Sequence, residues 1–121
     1  MPRIEHGAIW LANLNPGRGT EPGKTRPALV VQSQTLLDTG HPSTLVVPLT
    51  TNLVDDAEPL RLRVKAFAKL KHDSDLLVDQ LRAVDNRRLT SGPLGVCSPV
   101  FMRKVQAAIV EVLDLPISDF M

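Results

Sequence analysis

The apolar positions fall into short runs, most of them with the period of a strand. "GAIWLANL" (7–14), bounded by glycine and proline, predicts a first strand. "NPGRGTEPGKT" (15–25) holds three glycines and two prolines and reads as a loop. "RPALVVQ" (26–32) is rich in β-branched residues and predicts a second strand. Pro27 has no amide to give to a ladder and belongs at a strand start, where it biases Arg26 towards an extended conformation. Residues 33–43 are polar and turn-rich, with room for one helical turn. "TLVVPLTT" (44–51) predicts a third strand whose Pro48 implies an edge or a bulge. After an acidic loop, "NLVDDAEP" (52–59), "LRLRVKA" (60–66) alternates strictly. Leu60, Leu62 and Val64 share one face, and Arg61, Arg63 and Lys65 the other. "SDLLVDQLRAVD" (74–85) fits one bent strand or two short ones, and Asp85 and Asn86 open a turn into "NRRLTSGPLG".

The period changes in "SPVFMRKVQAAIVEVLDL" (98–115). Phe101, Val105, Ala108 and Val112 form one stripe with Ile109 beside it, which predicts a helix. Ser98 suits its N-cap and Pro99 its first position. No repeat, low-complexity segment or shift of composition divides the chain. Residues 1–121 therefore read as one domain: mainly β with α, a small curled antiparallel sheet carrying a C-terminal helix.

Composition narrows the function. With three Phe, one Trp and no Tyr, a broad aromatic platform for stacking bases is disfavoured. Cys97 is alone and has no internal disulfide partner. His6, His41 and His72 show no metal-ligand spacing, so no metal and no cofactor is expected. The sequence shows neither a signal peptide nor an apolar run of membrane-spanning length, and a cytoplasmic protein is expected. The net charge of +1 hides an uneven distribution. Residues 61–90 carry eight Lys/Arg against four acids, and residues 31–60 carry four acids and no Lys/Arg. If the two basic blocks, 1–30 and 61–90, meet in space, a basic groove results.

Familiar catalytic motifs are absent: there is no G-x-S-x-G, P-loop or H-E-x-x-H. "GVCSP" sets Cys97 at a helix start, where thiols are sometimes activated, but no partner histidine accompanies it. What remains is polar chemistry at strand ends. Arg26 begins the second strand, and Thr50 and Thr51 end the third. If these strands are neighbours, a guanidinium and a hydroxyl converge. That pair suits a phosphodiester, with a bidentate fork for phosphate oxygens and a hydrogen bond to a developing oxyanion. Periodicity leaves open the alternative of a loop arginine and two β-forming threonines.

"GAIWLANLNPGRGTEPGKTRPALVVQ" resembles the N-terminal signature of the MazF/PemK family of toxins from toxin–antitoxin systems. Gly7, Ile9, Trp10, Leu14, Pro16, Gly19, Thr20, Glu21, Arg26 and Pro27 each match it. "VVPLTTN" resembles the family strand that ends in threonine, and "LLVDQLRAVDNRRL" resembles a later block, so the likeness runs from about residue 6 to residue 89. The resemblance implies a small SH3-like antiparallel barrel with a C-terminal helix, usually a homodimer. It also implies a metal-independent endoribonuclease that cuts single-stranded mRNA to 2′,3′-cyclic phosphate and 5′-hydroxyl ends. The implied partner is an antitoxin with an acidic C-terminal tail.

Carried over by position, the resemblance makes Arg26 and Thr50 the catalytic pair, with Thr51 the less favoured threonine. RNA contacts would come from Arg18, Thr20, Glu21, Lys24, Thr51, Asp79 and Gln80. Glu21 is also a candidate for fixing its loop, by accepting amide hydrogen bonds or pairing with Lys24. The chain departs from the PemK branch, whose R-x-D-Q stretch corresponds to Leu77, Val78, Asp79 and Gln80 and whose loop histidine corresponds to Thr20. Ala8 stands where the family often has an acid. Two non-enzymatic readings compete. One is a gyrase-binding toxin of the CcdB type, which relies on a C-terminal tryptophan where this chain ends "LPISDFM". The other is a catalytically weak member that only binds RNA or antitoxin.

Overall fold

The computed structural model describes residues 3–21 and 23–116. Among them are seven strands: β1 (Ala8–Asn13), β2 (Thr25–Val30), β3 (Ser43–Thr50), β4 (Arg61–Val64), β5 (Ser74–Leu77), β6 (Arg82–Asp85) and β7 (Leu89–Val96). A one-turn helix α1 (Gln34–Leu37) joins β2 to β3, and α2 (Pro99–Val112) follows β7. Every strand pairing is antiparallel. The order is β4-β5-β3-β2-β1-β7, with β6 also on β3. The expected small antiparallel barrel with a C-terminal helix is therefore present, in a curled form that does not close, because the path of paired strands ends at β4 and at β7.

β3 has two partners on one side. β6 takes its first half, Ser43–Val46, and β5 takes its end, Leu49 and Thr50. Pro48 lies between the two, opposite Ala28 of β2, so its missing amide costs no ladder bond. The proline thus marks a change of partner rather than an edge or a bulge.

The central strands are buried on both faces, which explains why their sequences are continuous apolar runs rather than alternating ones. Ile9, Leu29, Val47 and Leu49 point into one core with Leu62, Leu76, Val78 and the helix residues Met102, Val105 and Ala108. Trp10, Ala12, Ala28, Val30 and Val46 point into a second core, closed by Leu14, Val84 and Leu89. Ala8, where the resemblance expects an acid, is buried in that second core. The α2 stripe packs as its spacing predicts. Ser98 Oγ accepts from the Phe101 amide at 3.1 Å, and Pro99 opens the helix.

The sequence reading missed β7, because "LTSGPLG" has the look of a turn. Ile9 pairs with Gly95 and Leu11 with Ser91, so Gly92–Leu94 bulge out of the ladder. The bulge seats Gly92 against Trp10, where a Cβ would lie 2.5 Å from Cδ2 of the indole. We expect Gly92→Ala to cost about 2 kcal/mol, since the buried indole has nowhere to retreat. Urea denaturation checks this, and an unchanged midpoint would refute the packing argument.

Candidate active site

Register brings the polar strand ends together. β2 and β3 pair from Val30 and Val46 as far as Ala28 and Pro48, and beyond that last pair Arg26 and Thr50 lie at the strand ends, where both line one cavity. Opposed residues of an antiparallel pair project from the same face. Across the next strand Thr50 pairs with Asp75, and across the one after that Asp75 pairs with Arg63. Thr50, Asp75 and Arg63 thus form one polar row over three strands, with Arg26 on the strand beside it.

Arg26 and Thr50 line a cavity of about 290 Å³ with Lys24, Thr25, Pro27, Leu49, Thr51 and Ser74. The half-buried Arg26 is held by one bond, from Nε to the Gly23 carbonyl at 3.0 Å. Among the described residues its two terminal nitrogens have no acceptor, so the fork remains available to a phosphate. Thr50 Oγ1 accepts from the Asn52 amide at 3.2 Å, which leaves its O–H to donate.

The loop of residues 15–25 is built to present Arg26. The Leu14 amide donates to the Lys24 carbonyl at 2.8 Å, and Asn15 Oδ1 accepts from the Lys24 amide at 2.6 Å. Gly17 and Gly23 lie so close that a Cβ on either would come within 2.7 Å of the other's amide nitrogen. Arg88 ties down the base of the loop, donating from Nη1 to the carbonyls of Asn13 (3.2 Å) and Asn15 (2.7 Å).

The remaining RNA-binding candidates divide. Lys24 and Thr51 line the Arg26 cavity. Glu21, Asp79 and Gln80 converge instead on a separate cavity of about 250 Å³, with Leu81 and Arg82. Among the described residues no bond joins the Glu21 carboxylate to Lys24 or to its own loop, so the loop-fixing role for this side chain has no support. Arg18 and Thr20 lie at the exposed loop tip, where the Arg18 carbonyl accepts from the Glu21 amide at 2.8 Å, and line neither cavity.

Sequence reasoning missed the cluster around Asp75. This carboxylate is 1% exposed. Oδ1 accepts from Arg63 Nε at 2.6 Å, and Oδ2 from the Val54 amide at 2.8 Å and Arg61 Nη1 at 3.3 Å. Burial alone would raise its pKa, but the Arg63, Val54 and Arg61 hydrogen bonds outweigh that and hold it below the usual carboxylate value. Arg63 also grips Asp55 at 2.7 Å, and Arg87 is engaged by Asp85. Three arginines of the basic block, Arg61, Arg63 and Arg87, are thus engaged by acids of the fold.

Cys97 is not an activated nucleophile, since burial pushes its thiol up to about 11. Slow labelling by a disulfide reagent at pH 8 is expected of the folded protein, with fast labelling once it is unfolded; equal rates would contradict the burial. Among the described residues no three His, Cys, Asp or Glu cluster as metal ligands, and no helix is long and apolar enough to cross a membrane.

Known proteins share this fold. Residues 5–113 match the family model described as the PemK-like, MazF-like toxin of type II toxin–antitoxin systems. The chain is similar to endoribonuclease MazF of Staphylococcus epidermidis, with 33% identity over 90 residues covering 71% of this chain and 72% of that one. Its fold matches a crystal structure of MazF from Deinococcus radiodurans with a TM-score of 0.78 at 21% identity, over 95% of this chain and all of that one. It also matches an endoribonuclease bound to its cognate antitoxin from a mycobacterial species, with a TM-score of 0.71 at 21% identity, over 92% and 95% of the two chains. With its fold and its motif-bearing strands matched in this way, the chain belongs to the PemK-like, MazF-like family of type II toxins.

Proposed function

We propose that this toxin is a sequence-specific endoribonuclease that cleaves single-stranded mRNA in the cytoplasm and leaves 2′,3′-cyclic phosphate and 5′-hydroxyl ends. One observation carries the reading. An arginine fork and a threonine hydroxyl from the ends of two neighbouring strands line one open cavity, with their phosphate-binding capacity unspent.

In this scheme the RNA's own 2′-hydroxyl attacks the adjacent phosphorus and the 5′-oxygen leaves, so DNA is inert. Arg26 places fixed positive charge and a bidentate fork on the non-bridging oxygens as charge builds on the pentacovalent centre. Thr50 donates a hydrogen bond to the same centre. The guanidinium supplies the cationic role, so the scheme requires no metal. Arg26 stays protonated and acts on charge rather than as a base. Lys24 and Thr51 border this centre. The Glu21, Asp79 and Gln80 cavity offers acceptors and an amide for a neighbouring base edge.

The inhibitory partner in this reading is an antitoxin with an acidic C-terminal tail, and the active species is a homodimer. An apolar cleft of about 550 Å³, floored by Phe67, Val96 and Phe101 and bordered by Lys65 and Lys104, supports such a partner, because it suits a segment carrying both apolar and acidic residues. The test is incubation of the purified protein with a long RNA and the matching DNA in EDTA, followed by mapping of the ends. Cuts in RNA alone, at one short motif with cyclic phosphate ends, are expected. Intact RNA at high enzyme concentration would overturn the reading and favour a binding toxin.

A further inference from the structure

The polar row continues past Thr50 into a tether. The segment after Thr50 runs over the surface, and residues 51–56 are all exposed. Even so, besides the Arg63–Asp55 ion pair, three hydrogen bonds pin it to the sheet. The Val54 amide reaches the buried Asp75 carboxylate at 2.8 Å. Arg61 Nη1 donates to the Asn52 carbonyl at 2.8 Å while also touching Asp75 Oδ2 at 3.3 Å. The third bond is the one that reaches the active site: the amide of the same Asn52 donates to Thr50 Oγ1 at 3.2 Å.

Asn52 is thus gripped at both ends. Arg61 holds its carbonyl, and its amide occupies one lone pair of the threonine hydroxyl. The carbonyl and the N–H lie in the two peptide planes that flank the Asn52 Cα, so a bond on each restrains the turn from both sides. Arg61 itself has little freedom, because its side chain is 24% exposed and anchored on a carboxylate that is 1% exposed. A charge buried that deeply persists only with its partners in place, so the anchor does not drift.

We propose that Arg61, anchored on Asp75, is a positioning residue for Thr50, holding the turn at Asn52 so that the Thr50 hydroxyl keeps its orientation in the cavity it shares with Arg26. The catalytic meaning of this assignment rests on the ribonuclease reading. Arg61 belongs to the face of β4 that reads, from sequence, simply as the polar side of an alternating strand. Its bonds turn it instead towards the support of the site.

The test compares Arg61→Met, which keeps the packing and loses every donor, with Arg61→Lys, which keeps one donor and the charge. Arg61→Met is expected to lower kcat about tenfold with KM changed by less than about twofold, because misplacing one group by a fraction of an ångström acts on the transition state rather than on binding. Arg61→Lys is expected to recover most of that loss. Three-bond couplings to the Thr50 methyl supply a readout independent of activity, with a single side-chain rotamer expected in the wild type and averaging in Arg61→Met. A merely structural role would lower thermal stability and leave the rotamer and kcat at 25 °C unchanged, which would overturn the proposal. If the wild type cuts no RNA, the ribonuclease reading fails and the rotamer comparison still decides the positioning. If Arg61→Met does not fold, hydrogen exchange in the wild type decides. The Asn52 amide is expected to exchange more slowly than that of the neighbouring exposed Thr51, and equal rates would overturn the tether.

Discussion

Arg26→Ala is expected to lower kcat/KM for RNA by about a hundred- to a thousandfold, the loss seen when one preorganised donor to a transition-state anion is removed. The fold is expected to survive. Arg26 gives the protein one neutral-acceptor bond, from Nε to the Gly23 carbonyl, so stability falls by about 1 kcal/mol. Arg26→Lys separates charge from geometry, since it keeps the positive charge and loses the planar fork. Activity between those of the wild type and the alanine variant is expected. Cleavage of a fluorogenic RNA, read beside thermal melts, checks both claims. A folded Arg26→Ala protein that cuts at the wild-type rate would remove the arginine from the mechanism.

Asp75→Ala is expected to cost about 3 kcal/mol, because one side chain satisfies two guanidinium groups and the Val54 amide. The figure sits at the low end for a broken buried pair, since Arg61 and Arg63 are 24% and 35% exposed and regain some hydration when freed. For a chain of this size that corresponds to a fall in melting temperature of roughly 10 °C. The same carboxylate gives stability its acid dependence. Its folded pKa lies below the unfolded value of about 3.9, so the contribution is complete above that pH and is lost as pH falls through the folded value. Asp85 acts in the same direction, held down to about 2 first by the Arg87 side chain and then by the Arg87 amide. Stability should therefore fall between about pH 4 and pH 2. Asp75→Asn should show a shallower fall over that window. Urea midpoints at a series of pH values measure it, and parallel curves for the two proteins would refute the linkage.

The parts of the fold read correctly from sequence were those set by local chemistry. The Ser98–Pro99 start of α2, the loop of residues 15–25 and the extended Arg26–Pro27 step each rest on residues that act within a few positions of themselves. The meeting of Arg26 and Thr50 was legible only as a conditional, since spacing places both at strand ends and the antiparallel neighbourhood of β2 and β3 brings those ends to one cavity. β7 was hidden because Gly92 and Pro93 are turn formers, and Gly92 is explained by Trp10, 82 positions earlier in the chain. Asp75 was hidden for a related reason. At the start of the predicted strand "SDLLVDQLRAVD" nothing local marks it for burial, and it is buried because β4 lays Arg63 against it. A signal did exist, in that alternating "LRLRV" faces "SDLL" across a short connection, and one register of that hairpin sets Arg63 beside Asp75. From alternation alone that face of β4 read only as polar, although Arg61 and Arg63 are turned to Asp75 and Asp55.

In the proposed mechanism the RNA cleaves itself on an arginine–threonine platform. The most direct measurement uses an oligoribonucleotide carrying the mapped cleavage motif, with one 2′-deoxy substitution at the nucleotide 5′ to the scissile phosphate, incubated with the wild-type protein in EDTA. The account predicts complete loss of cleavage at that bond, with binding retained and the unmodified RNA cut to a 2′,3′-cyclic phosphate. Cleavage of the deoxy-substituted strand at the same bond would mean that another nucleophile attacks, and the assignment of Arg26 and Thr50 to this chemistry would be wrong.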